Sequence, residues 1–143
     1  MNLREFLTKS KFKISYNDAL QIFKDVSEQF TSLEQDKIVH SLSLDDIVQN
    51  SNDIWEISDD KFVKKGVTKI GINKHDFLSP ELEAGIHSNT SGWYSLAAII
   101  AHCLTGKRDI DNQFEELESI RETKLYWALK RILNNEKRTI LLI

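Results

Sequence analysis

The side chains able to do chemistry are few and scattered. Four histidines, His40, His75, His87 and His102, never stand at i,i+4, and none lies in an HExxH context. That spacing places two imidazoles on one helix face for zinc, so no metal site is expected from them. Cys103 is the only cysteine, which excludes an internal disulfide and a cysteine-based zinc site. Paired with His40 it could act as a nucleophile. It lies, however, in the most apolar stretch of the chain, where a thiol usually packs as a small hydrophobe. Gly106-Lys107 has the ending of a phosphate-binding loop, but no glycine stands five residues earlier and the pair follows a helix instead of opening one.

Two acidic pairs remain, Asp45-Asp46 and Asp59-Asp60, at the two ends of an expected hairpin. Brought together, two carboxylates can hold Mg²⁺ while phosphate oxygens complete its shell. The same residues also serve as turn-formers facing water.

Positioning falls to a mostly helical chain. One proline and five glycines in 143 residues leave few breakers. Leu3, Phe6 and Leu7 mark a short helix at 2–8. Ser15 and Asp18 have the spacing of a capping box. Behind them Ala19, Ile22, Phe23, Val26, Phe30 and Leu33 recur at three and four, predicting an amphipathic helix over 17–33. Short strands are expected at Ile47-Val48, 54–57, 61–63 and 67–70, with Asn50-Ser51-Asn52-Asp53 and Ser58-Asp59-Asp60 as turns. A helical signal follows Pro80 at 81–84. Residues 92–104 are apolar on nearly every face and stop at Gly106, which predicts a buried central helix. Two more helices are marked by Phe114, Leu117 and Ile120, and by Leu125, Ala128, Leu129, Ile132 and Leu133.

The whole chain, 1–143, reads as one domain. Hydrophobic residues make up 41% and charged residues 29%, in the globular range. A net charge of −3 argues against nucleic acid as a main partner. No run nears the ~20 apolar residues that span a bilayer, and the first residues show no signal-peptide core. No membrane insertion and a cytoplasmic location are therefore expected.

Residues 37–48, Lys-Ile-Val-His-Ser-Leu-Ser-Leu-Asp-Asp-Ile-Val, resemble the catalytic loop of protein kinases, I-V-H-R-D-L-K-P-E-N-I-L. Ile57-Ser58-Asp59-Asp60-Lys61 falls where those kinases carry I-x-D-F-G. Phe77-Leu78-Ser79-Pro80-Glu81 is similar to F-x-A-P-E. Gly92-Trp93-Tyr94-Ser95-Leu96-Ala97, with Leu104-Thr105-Gly106-Lys107, is similar to D-W-W-S-L-G and L-T-G-K. Leu133–Arg138 resembles L-x-x-D-P-x-x-R. These segments occur in the family's order and cover residues 3–139.

The resemblance implies a mainly α fold like a kinase C-lobe, with a few short strands and the N-lobe absent. It also implies that the chemistry is gone. Counting back from Ile47, Ser41 replaces the aspartate that accepts the substrate proton; counting forward from His40, that aspartate is deleted. The following lysine becomes Ser43 and the metal-binding asparagine becomes Asp46. Asp59 keeps the carboxylate of D-F-G, while Asp60 and Lys61 replace Phe and Gly. The degenerate loop thus comprises His40, Ser41, Ser43 and Asp46. Gly92 replaces the aspartate that opens the central helix. Glu81 and Arg138 fit the family's buried structural ion pair. The expected function is a catalytically inactive, pseudokinase-like regulatory module, not an enzyme, without cofactor. It would bind another protein or a second copy of itself through an exposed face bordered by residues 1–12, 40–46 and 58–62. The alternative is a weak nucleotide- and Mg²⁺-binding regulator using Asp46 and Asp59.

Overall fold

The computed structural model describes residues 1–32, 37–39, 41–58, 61–64, 77, 91–107 and 110–133. Its helices are α1 (Leu3–Lys9), α2 (Tyr16–Ser32), α3 (Ser91–Thr105), α4 (Ile110–Leu117) and α5 (Lys124–Leu133). Its strands are β1 (Lys37–Val39), β2 (Ile47–Gln49), β3 (Trp55–Ile57) and β4 (Phe62–Lys64). The fold is mainly helical. None of the described helices is long and apolar enough to cross a membrane.

Helix α3 is the centre. Its sequence is apolar almost all round, and twelve of its residues are buried accordingly. Helices α2, α4 and α5 pack against it. Gly106 ends it in the left-handed conformation (φ 73°), which a Cβ would strain, while its N–H donates to the His102 carbonyl at 2.7 Å.

Local chemistry sets the other helix starts. Asn2 Oδ1 accepts the Glu5 N–H at 2.9 Å and caps α1, whose Leu3 and Leu7 are buried. Ser15 Oγ accepts the Asp18 N–H at 3.1 Å, so the serine half of the expected capping box forms. Ala19, Ile22 and Val26 then line the buried face of α2.

β2 and β3 form the expected antiparallel hairpin, pairing Ile47 with Ile57 and Gln49 with Trp55. Asn50 makes the turn: its Oδ1 accepts the N–H groups of Asn52 (2.8 Å) and Ile54 (3.1 Å). Asp53 takes a positive φ there, 62°, which aspartate tolerates better than most residues. Both hairpin edges are covered. Asn2 bridges Val48, and the Gln49 N–H donates to the Met1 carbonyl at 2.9 Å. On the opposite edge two α2 side chains replace a strand. Gln29 donates to the Trp55 carbonyl and accepts the Ile57 N–H, both at 2.7 Å, and Asp25 Oδ2 accepts the Trp55 N–H at 3.1 Å. An uncovered edge would present these groups for aggregation.

Two features go beyond the sequence reading. β4 pairs with β1, Val39 opposite Phe62. β1 itself lies within the segment read only as a loop motif. The expected strand at 67–70 and helix at 81–84 lie outside the described residues.

Candidate functional site

The segment that resembles a catalytic loop takes in β1 and the start of β2, and the part at 41–44 between them is packed into the core. Ser41, Leu42, Ser43 and Leu44 are all buried, with Leu42 fully so. The Leu42 carbonyl accepts the Phe77 N–H at 2.9 Å, and the Phe77 carbonyl in turn accepts the Ser95 hydroxyl of α3. The loop is thereby tied through Phe77 to the central helix. Within 41–46 only Asp45 is exposed, and it pairs with Arg4 at 2.7 Å.

A short 3₁₀ turn, Leu44–Asp46, ends the loop and carries Asp46 back beneath Ser43. Asp46 Oδ2 accepts the Ser43 N–H at 2.7 Å and the Ser43 hydroxyl at 2.9 Å. The ammonium of Lys61 lies 3.3 Å from the same oxygen. Both ion-pair side chains are largely out of water, 8% exposed for Lys61 and 16% for Asp46. The Asp46 carbonyl also accepts the Ser58 N–H at 2.8 Å, which fastens the turn to the end of β3. One carboxylate oxygen thus gathers two donors from Ser43 and one cation from Lys61, just before β4.

This arrangement does specific chemistry. All three contacts fall on Oδ2, so Asp46 already holds an internal cation at ion-pair distance, and a second cation there would be repelled by Lys61. Lys61, which stands where the resembling family carries the glycine of D-F-G, supplies the positive charge that a metal would bring. His40, Asp59, Glu81 and Arg138 lie outside the described residues. Among the candidates, the structure therefore brings together Ser43 and Asp46, with Ser41 buried beside them in the loop.

Gly92 has its own reason. A Cβ there would overlap the Val39 carbonyl oxygen and press on the Phe30 ring at 3.3 Å. The start of α3 meets the backbone of β1 so closely that only glycine fits. The tilted Phe30–Trp93 ring pair, centroids 4.9 Å apart, closes the same junction.

The remaining chemical candidates resolve into structure. Cys103 is buried and free, and burial pushes its thiol from 9.0 up to about 12. It is a neutral hydrophobe at physiological pH, not a nucleophile. His102 lies with Nδ1 3.2 Å from the Lys107 carbonyl oxygen and its ring beside Phe77. Among the described residues, no three histidine, cysteine or acidic side chains are grouped to hold a metal.

Sequence reasoning missed Lys61 as the partner of Asp46. The available signal was the appearance of a lysine where the resembling motif has glycine. It also did not single out Asp25 and Gln29, polar side chains of α2 that serve the hairpin edge. No protein-family model matches this chain, and no curated protein matches it.

Proposed function

We propose that this chain is a catalytically inactive, kinase-C-lobe-like module that works by binding another macromolecule, in the cytoplasm. The observation that carries the reading is the Ser43–Asp46–Lys61 cluster. Phosphoryl transfer depends on positioning and charge stabilisation, with a base at the acceptor hydroxyl and carboxylate-held metal at the phosphates. At the loop that resembles the kinase catalytic segment, Ser41 offers no carboxylate. Asp46 spends its charge on Lys61, which disfavours the nucleotide- and Mg²⁺-binding alternative built on Asp46 and Asp59. What the loop does retain is packing: Leu42, Leu44 and Phe77 are buried against the helical core.

The test is phosphotransfer. The purified chain is incubated with γ-labelled ATP, Mg²⁺ or Mn²⁺, and generic protein acceptors, beside an Asp59→Ala variant. Incorporation at background in both supports the reading. Transfer above background that Asp59→Ala abolishes would overturn it.

A further inference from the structure

Two surfaces of the molecule are unlike each other and complementary. The first is a groove of about 410 Å³ between α2 and β3. Ile54, Ile57 and Phe62 line one part of it and Gln29, Glu28 and Glu56 the rest, with Glu56 Oε1 accepting from Asn50 Nδ2 at 2.7 Å. Ile54 is 45% exposed, and Glu28 is exposed on α2 with no cation beside it among the described residues. Asp25 also lines the groove, but its oxygens already serve Gln21 and Trp55. Among the described residues, no lysine or arginine lines this groove.

The second surface is the outer face of α5. Trp127 is 47% exposed there, and the Lys130 ammonium lies 5.5 Å from its ring centroid. Lys124 and Arg131 flank the same hollow, with Glu122 at its edge. The other side of α5 is committed to the core through Leu125, Leu129 and Ile132, so this face is turned outward.

A half-exposed tryptophan on a face that carries Lys124, Lys130 and Arg131 is complementary in charge to a groove that carries Glu28 and Glu56. Tryptophan and arginine are the side chains that most often anchor interfaces, seated in pockets that exclude water. Opposite charges around such an anchor raise the encounter rate and fix its orientation. We propose that the α2–β3 groove receives the Trp127 face of α5 from a second copy of this chain. This deepens the binding-module reading by naming the partner as the chain itself. The contact joins unlike surfaces, so each copy carries one donor face and one acceptor groove.

That asymmetry gives a decisive test. Glu28→Lys/Ile54→Lys spoils the groove and leaves α5 intact. Trp127→Ala spoils the α5 face and leaves the groove intact. All three positions are exposed, so both variants are expected to fold, which circular dichroism checks. The mass of each protein is followed by sedimentation velocity over a wide concentration range, at low and at high salt. The wild type is expected to self-associate as concentration rises, and less so at high salt because the rim charges are screened. Each variant alone is expected to bind itself roughly thirtyfold more weakly, the effect of losing one interface anchor. Mixed together, the two variants should form a pair, because each supplies the surface the other lacks. A wild type that stays monomeric at the highest concentration overturns the proposal and leaves the groove to a cationic partner of another kind, with the inactive-module reading untouched. Variants that associate as strongly as wild type, or a mixture that stays monomeric, also overturn it.

Discussion

Replacing Lys61 with methionine removes the ammonium from Asp46 and keeps most of the side-chain volume. At 3.3 Å the two unit charges attract by about 5 kcal/mol at an effective dielectric of ~20. Desolvation of both groups offsets part of this. The substitution strands a carboxylate that is only 16% exposed. Such a loss costs about 3–5 kcal/mol, and two hydrogen bonds from Ser43 remain, so the lower end, ~3 kcal/mol, is expected. For 143 residues the unfolding entropy is roughly 0.3 kcal/mol/K, which converts that loss to a fall in Tm of about 10 °C. Urea denaturation of wild type, Lys61→Met, Asp46→Asn and the double variant closes a cycle that isolates the pair from other contacts of either residue. The amide introduced by Asp46→Asn can still accept from Ser43 without carrying charge, so the double variant should recover ~2 kcal/mol relative to additivity. Additive effects within about 0.5 kcal/mol would refute the claim that Lys61 neutralises Asp46.

Gly92→Ala should destabilise by about 1–3 kcal/mol, despite alanine's better helix propensity, because its methyl overlaps the Val39 carbonyl; an unchanged denaturation midpoint would contradict the close approach. Cys103 should resist thiol reagents in the native protein and react fully in urea. Its folded pKa, raised to about 12, lies above the unfolded value of 9.0. Above pH 9 the unfolded state therefore sheds a proton that the folded state keeps, and stability falls by up to about 4 kcal/mol between pH 9 and 12. Cys103→Ala should flatten that part of the pH–stability curve. Arg138→Ala should lower Tm far more than Arg108→Ala if Glu81 and Arg138 form the ion pair that the kinase-lobe resemblance implies; equal small effects would count against the resemblance.

The parts of the fold visible in the sequence are those specified locally. The all-round apolar run of 92–104 predicted the buried helix observed at Ser91–Thr105, and the three-and-four spacing from Ala19 to Phe30 marked the inward face of α2. The hairpin was legible because Asn50 and Asp53 write its turn chemistry into four consecutive residues. β1 was not, because its partner β4 is distant in sequence and no local turn signal links the two. The same holds for the site. Ser43 and Asp46 are three residues apart and stood out as part of one motif. Lys61 reaches Asp46 only because β3 pairs with β2 and the Lys61 N–H closes back onto the Ser58 carbonyl at 3.0 Å. Gln29 did not stand out because nothing in its own neighbourhood reveals the strand backbone it serves.

Titration calorimetry of the chain with ATP·Mg²⁺ tests most directly whether the loop can hold metal-bound phosphate. With Asp46 paired to Lys61, binding no tighter than roughly millimolar is expected, about 4 kcal/mol, which gives no resolvable isotherm at micromolar protein. Asp46→Asn and Asp59→Asn should leave that flat trace unchanged. A saturable isotherm in the micromolar range, lost in either variant, would contradict the account and establish the chain as a nucleotide binder.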